Sequence, residues 1–267
     1  MQDIAGKAAF ITGGASGIGL AIGRALADVG AKVTLADIDQ AQLDKVTPTI
    51  EGAFGVRLDV RDRENWKTAK AAAEARHGPV DILVNNAGIG PDGRPFAEMD
   101  PVAFDRVIAI NLTGVFNGVS AFAAEMQARG RGHIINTSSM AGLMINPTLG
   151  AYTTAKFGVV GLTETLRMEL APHGVGVSVL CPGLIDTRLG ETTLAAGSER
   201  VQGTRSFSQS GLDATIVGER VLDAIRNDDL YILTHGEYRK FVARRDEAVL
   251  AAFDRTPAST ELAAKGS

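Results

Sequence analysis

The chain has 267 residues, 45% hydrophobic and 22% charged, which suits a folded protein with a sizeable core and excludes wholesale disorder. Its 27 basic and 31 acidic residues leave a net charge of −4, which argues against non-specific binding to nucleic acid or to an anionic membrane. A single cysteine, Cys181, rules out an internal disulfide or a cysteine-bound metal centre, and His77, His133, His173 and His235 are too scattered to suggest a histidine metal site, so none is expected.

The chain alternates two kinds of segment. Ala8 to Thr12 is a short apolar run, read as a buried strand, and glycines follow it. Leu20, Ile22, Ala25, Leu26 and Val29 then recur at helical spacing up to Gly30. Strand patterns return at Lys32 to Ala36, Gly55 to Leu58, Asp81 to Val84, His133 to Thr137, Val175 to Leu180 and Tyr231 to Leu233. Helical patterns separate them at Ala41 to Val46, Arg63 to Arg76, Phe104 to Gln127, Ala151 to Leu170 and Asp213 to Arg226, and a last one runs over 237–253. Short strands alternating with longer helices imply a single α/β domain over 1–257, with a parallel sheet covered on both faces. The segment 188–211 is longer than an ordinary connection and is expected to be a functional loop, and 258–267 a frayed tail. No stretch reads as a transmembrane helix or signal peptide, so a cytoplasmic protein without membrane partners is expected.

Between the first strand and first helix lies Thr12-Gly13-Gly14-Ala15-Ser16-Gly17-Ile18-Gly19. Glycines let a backbone approach a pyrophosphate, and the helix N-terminus beyond offers free N–H groups; an ordinary strand-to-helix turn is the bland alternative. Asp37 ends the second strand, where a carboxylate binds an adenosine ribose diol and repels a 2′-phosphate. With no basic residue at positions 14 to 16 or 38, this favours NAD over NADP, unless Asp37 merely caps the next helix. Asp59 and the backbone of Val60 are placed to meet an adenine, and Asp62 reads as a helix cap. Tyr152 and Lys156 share a helix face; an ammonium close by would lower the tyrosine's pKa and make it a general acid or base, although such pairs are common on helix surfaces. Cys181 reads as strand-end filling and His235 as solvated loop. The apolar residues after Ser139 and after the sixth strand line either a pocket or plain core.

Together these pieces resemble the short single-domain branch of the short-chain dehydrogenase/reductase family, over roughly residues 5 to 235. The motifs that carry the resemblance are the glycine loop, Asn85-Asn86-Ala87-Gly88, Asn111, Ser138-Ser139, Tyr152-x3-Lys156 and Pro182-Gly183-Leu184-Ile185-Asp186-Thr187. The resemblance implies a doubly wound Rossmann fold with seven parallel strands in order 3-2-1-4-5-6-7. It also implies an NAD-dependent oxidoreductase interconverting a secondary alcohol and a ketone. Tyr152 would be the acid/base, Lys156 its tuner and a ribose ligand, Ser139 the holder of the reacting oxygen, and Asn111 a distortion in its helix that holds a water. Gly13, Ser16, Gly17, Ile18, Gly19, Asn85, Ala87, Gly88, Pro182, Gly183, Ile185 and Thr187 would line the cofactor, and 188–211 would close as a lid. A homotetramer, or a homodimer, is implied, with 104–127 and 151–170 at one interface. The competing readings are an NADP-linked carbonyl or 3-oxoacyl reductase, and a dinucleotide-binding regulator without turnover.

Overall fold

A computed structural model describes residues 1–187, 189–197 and 211–256. Its strands are β1 (Ala8–Thr12), β2 (Lys32–Asp37), β3 (Phe54–Arg57), β4 (Ile82–Asn85), β5 (Gly132–Thr137), β6 (Val175–Cys181) and β7 (Tyr231–Leu233). They form one seven-stranded sheet in the order β3-β2-β1-β4-β5-β6-β7, and every pairing is parallel. The helices are α1 (Gly17–Asp28), α2 (Gln40–Val46), α3 (Arg63–His77), α4 (Pro101–Ile108), α5 (Gly114–Arg129), α6 (Gly150–Leu170), α7 (Leu189–Ala195), α8 (Ala214–Asn227) and α9 (Arg239–Asp254). The expected Rossmann fold is therefore the one observed.

Strands buried on both faces read as continuous apolar runs, because each successive side chain meets a different helix layer. Ile11, Leu35 and Val84 pack with Ile22 and Leu26 of α1 and Val217 and Val221 of α8. Phe10, Leu83 and Ile134 point the other way, to Trp66 of α3, Phe122 and Met126 of α5, and Leu166 of α6. The Phe10 ring sits 5.8 Å from that of Trp66 and 5.3 Å from that of Phe122. Helix starts follow the caps in the sequence: Asp39, Asp62, Asp100 and Asp213 each accept a backbone N–H in the first turn of α2, α3, α4 and α8. Asp39, not Asp37, is thus the cap of α2, and Asp62 caps α3 as expected.

Two expectations need correction. The long helix starts at Pro101 rather than Phe104 and is broken by a π turn over Ala109–Thr113. Its 101–129 stretch is apolar and long enough to cross a membrane, but Val107, Val115, Phe122 and Met126 spend that apolar character on the protein interior. The segment 188–211 is not simply a loop, since Leu189–Ala195 forms α7; the rest of the expected lid, 188 and 198–210, lies outside the described residues, as does the expected tail. The described chain divides into two compact units, Met1–Thr234 and one that begins at His235. The first unit holds the sheet and every site residue. The second, described by itself, consists of α9 and the short turn before it, in which the Tyr238 ring lies between those of His235 and Phe241.

Candidate active site

β1 pairs with β2 on one side and β4 on the other, and the chain leaves β3 at the far edge to return to β4, so the C-terminal ends of β1 and β4 open a crevice where doubly wound sheets hold their ligands. The glycine loop forms one wall. Gly13 has φ +64°, and a Cβ there would stand 3.0 Å from Ala87 Cα; a Cβ on Gly19 would overlap the Gly13 carbonyl. Ser16 starts α1 without capping it through its side chain, and the first turn holds no acid, so its N–H groups face no competing carboxylate. Ile18 packs inward onto the core. Asp37 lies against this loop: Oδ2 accepts the Ala15 N–H at 3.1 Å and Oδ1 that of Asp39 at 3.1 Å. Bare backbone at a helix N-terminus, with a carboxylate at the next strand end, fits a dinucleotide.

Asn86 and Thr12 hold this wall and were not singled out from the sequence. Thr12 Oγ1 accepts the N–H groups of Asn86 (2.9 Å) and Ala87 (3.0 Å), and Asn86 Nδ2 donates back to the Thr12 carbonyl at 3.1 Å. The pair joins β1 to the loop after β4. Only the repeated asparagines of the 85–88 motif signalled it. Asn85 itself turns away from the crevice: it is buried, and its Nδ2 donates to Asn136 Oδ1 at 2.9 Å, linking β4 to β5 within the sheet. Its expected place along the cofactor is therefore corrected to a structural one. Asp59 is engaged by Arg61, whose guanidinium holds the carboxyl below its usual range. The Val60 carbonyl accepts from Trp66 Nε1 and Asn117 Nδ2, which leaves only its N–H side for an adenine.

The other wall carries the reactive groups. Ser139 begins a short turn after β5; its Oγ accepts the Ala141 N–H at 3.1 Å and donates to the Pro182 carbonyl at 3.4 Å. Tyr152 and Lys156 stand one helical turn apart on α6, and Lys156 Nζ lies 5.5 Å from the Tyr152 ring centroid. Nζ donates to the Thr137 carbonyl at 2.9 Å, and Lys156 is only 4% exposed. Gly88 lies against both Asn111 Oδ1 and Lys156 Nζ. Asn111 is fully buried inside the π turn, where its Oδ1 accepts the Ile89 N–H and its Nδ2 donates to the Ile89 carbonyl, both at 2.8 Å. The expected helix distortion is present, with the amide turned to the loop backbone. Beyond β6, Gly183 N–H donates to Thr234 Oγ1 at 2.9 Å, Ile185 is buried beside Leu212, and the Thr187 side chain lies directly against Gly17 of the glycine loop.

The residues 7–196 match the family model for short chain dehydrogenases. The chain belongs to that family. A C alpha-dehydrogenase from Sphingobium sp. (strain NBRC 103272 / SYK-6) is 32% identical, covering 94% of this chain and 87% of that one. A trans-4-hydroxycyclohexanecarboxylate dehydrogenase from Sinomonas cyclohexanicum is 39% identical, covering 74% and 77%. Among solved structures, a short chain dehydrogenase/reductase from Burkholderia phymatum in complex with NAD superposes with a TM-score of 0.87 at 34% identity, over 97% of this chain and 99% of that one. The protein is thus an oxidoreductase with a dinucleotide-binding fold, and its relatives include dehydrogenases acting on alcohols.

Electrostatics in this short chain dehydrogenase site differ from the expected tuning. Burial pushes the Tyr152 phenol above its ordinary value, with a hydrogen bond to Ser139 working the other way. Lys156 does not lower it here, because Nζ points to the Thr137 carbonyl and sits over the ring rather than beside the hydroxyl. Burial also brings the Lys156 ammonium down to about 8. Cys181, fully buried next to these groups, has its thiol pushed up to about 12 by the same desolvation, so it is an inert neutral neighbour, as its strand-end position suggested.

Proposed function

We propose that this chain is an NAD-dependent dehydrogenase that interconverts a hydrophobic secondary alcohol and its ketone. The observation that carries the reading is the convergence of Ser139, Tyr152 and Lys156, from β5 and α6, on a crevice whose opposite wall is the glycine loop with Asp37 beside it. Bound NAD supplies the hydride acceptor, or as NADH the donor. Asp37 presents its carboxylate where the adenosine ribose would lie, and no cation stands beside it at position 38 to accept a 2′-phosphate. Ser139 Oγ holds the substrate oxygen. Tyr152 takes the proton from the hydroxyl during oxidation and returns it to the carbonyl during reduction. Lys156 supplies positive charge beneath the ring, and its short tether to Thr137 keeps it there. Backbone at Ile185 and the Thr187 hydroxyl would fix the carboxamide end of the cofactor.

For the substrate we infer a hydrophobic skeleton. Phe96, whose ring lies against Gly150 at the start of α6, and Ile145, just before that helix, stay 62% and 71% exposed. Apolar rims favour a hydrophobic skeleton, such as a hydroxysteroid-like, aryl or cyclohexyl alcohol, and the Sphingobium and Sinomonas relatives are dehydrogenases too. The partners are then small alcohols and ketones, and we infer a homo-oligomer with the exposed Phe116 and Met168 of α5 and α6 at a contact.

The test is a screen of secondary alcohols for NAD reduction, with NADP in parallel and Tyr152→Phe as control. Turnover with NAD that disappears in the variant supports the reading. A strong NADP preference would favour the carbonyl or 3-oxoacyl reductase reading, and no turnover across a broad panel would favour a dinucleotide-binding regulator.

A further inference from the structure

The seven residues of α7 are too few to hold a helix in water by themselves. The helix sits on an excursion of the chain that leaves and returns at one bridge. There the Asp186 N–H donates to the Leu212 carbonyl at 3.0 Å, and the Leu212 N–H to the Leu184 carbonyl at 2.9 Å. Beyond that base, contacts with other elements must seat it. The side chain it turns inward is polar: Thr193 is 7% exposed, whereas Leu194 is left 43% exposed. Thr193 Oγ1 accepts the Gly90 N–H at 2.7 Å and donates to the Leu189 carbonyl at 2.6 Å. The second bond is ordinary for a threonine within a helix, but the first crosses to the loop after β4. The fit is close, since a Cβ on Gly90 would stand 3.1 Å from that oxygen. Ala196, just past the helix, packs on the small cluster that includes Ile89 and Val107.

The residues just before Gly90 lead into the site. Ile89 engages the Asn111 amide through both its N–H and its C=O, and Gly88 lies against Asn111 Oδ1 and Lys156 Nζ. Three successive residues are thus fixed by three different parts of the molecule: Gly90 by α7, Ile89 by the π turn, and Gly88 by the groups around Lys156. A hydroxyl on α7 therefore acts one residue away from the partner of Asn111. Without it, Gly90 would keep a buried N–H with no acceptor, which loosens the loop or draws in water.

We propose that Thr193 is a positioning residue of this site: by holding Gly90 it fixes the 88–90 loop against Asn111 and Lys156, and so ties the seating of α7 to the wall that carries the chemistry. The effect on turnover rests on the dehydrogenase reading above. This role differs from that of a residue that only covers a bound substrate. Losing a cover weakens alcohol binding and leaves the chemical step intact. Losing the Gly90 bond displaces groups that serve the chemical step and leaves alcohol binding nearly unchanged.

The test compares two variants of the full chain: Thr193→Val, which keeps the shape and removes the hydroxyl, and Thr193→Ser, which keeps the hydroxyl. Amide hydrogen exchange read by mass spectrometry needs no substrate. In Thr193→Val the peptides containing Gly90 and the π turn are expected to exchange about ten-fold faster, with peptides from β5 and β6 and the thermal midpoint unchanged. Thr193→Ser should match the unaltered chain. With an alcohol that the unaltered chain oxidises, the single-turnover rate of NAD reduction should fall about ten-fold in Thr193→Val, while KM for the alcohol stays within about three-fold and Thr193→Ser recovers most of the rate. Faster exchange confined to α7 would overturn the proposal, as would an intact single-turnover rate beside a raised KM, which is the signature of a cover. Failure of Thr193→Ser to recover the rate would also overturn it, since shape rather than the hydroxyl would then matter. The exchange arm stands whether or not an alcohol is found, so absence of turnover in the unaltered chain would count against the dehydrogenase reading and not against this anchoring.

Discussion

At the scale of single residues, the site separates proton transfer from cofactor choice. Tyr152 hydrogen-bonds Ser139, and burial raises its phenol above the ordinary value. As a base it must lose its proton and as an acid it must keep it. Because burial raises its pKa, alcohol oxidation should climb with pH through the alkaline range, while ketone reduction should be fullest near neutrality and fall there. Steady-state kcat/KM profiles in both directions check this, and matching profiles would be incompatible with a shared acid/base. Tyr152→Phe should lower turnover by about 10² to 10⁴-fold in both directions while leaving NADH binding, read by fluorescence, within a few-fold. Asp37 governs the other half. Replacing it with alanine and the adjacent, exposed Ile38 with arginine exchanges a ribose acceptor for a phosphate partner. Charge-assisted hydrogen bonds of this kind are worth about 1.5–3 kcal/mol, so the NADH-to-NADPH ratio of kcat/KM should fall roughly 10² or more. An unchanged ratio would remove Asp37 from cofactor selection.

At the scale of elements, the most informative piece is the π turn that carries Asn111. Opening one extra residue into a helix costs hydrogen bonds, and here Asn111 returns two by joining both the N–H and the C=O of Ile89. Asn111→Ala would leave two buried backbone groups unpaired at about 1–3 kcal/mol each. A lowered urea midpoint is expected together with reduced turnover, since Gly88 lies against both the Asn111 amide and Lys156 Nζ. Asn111→Asp, which accepts from Ile89 but cannot donate to it, should restore only part of the midpoint. The strands were legible because apolar runs such as Ala8–Thr12 fit no surface element, and the starts of α2, α3 and α8 because Asp39, Asp62 and Asp213 stand at them, whereas the Asp100 cap of α4 was passed over. The π turn was legible only through the resemblance, since the hydrophobic spacing of 101–129 continues across it unbroken. The α7 helix was missed because its seven residues include two threonines and a glycine, weak helix formers, and tertiary contacts hold it: Thr193 Oγ1 accepts the Gly90 N–H at 2.7 Å and donates to the Leu189 carbonyl at 2.6 Å. Likewise, Tyr152 and Lys156 stood out through the resemblance, since their spacing alone is common on helix surfaces, but the burial that raises the phenol and the Thr137 carbonyl that directs Nζ both come from other elements.

At the scale of the whole molecule, chemistry collects at the C-terminal ends of the strands, while the opposite end of the sheet carries a separate polar cluster that affects stability. His133, near the start of β5, is 1% exposed, and its Nε2 lies 2.8 Å from Ser178 Oγ on β6, which donates to the Asp229 carbonyl at 2.6 Å. Asp228, held by Arg167, is the nearby acid that opposes the effect of burial on His133. Burial wins and lowers the imidazole to about 4. In the unfolded chain the same ring titrates near 6.5. Above that value it is neutral in both states and affects nothing. Between about 6.5 and 4 the unfolded chain binds a proton that the fold refuses, so stability falls as pH falls, by about 3 kcal/mol across the window, and no further below it. Urea unfolding from pH 7 to pH 4.5 should therefore show a declining free energy. In His133→Gln, which cannot take up the proton, that part of the slope should vanish even if the variant is less stable at pH 7. An acid limb of equal steepness in the variant would assign the loss to carboxylates instead, and His133 would then be only a packed, hydrogen-bonded ring.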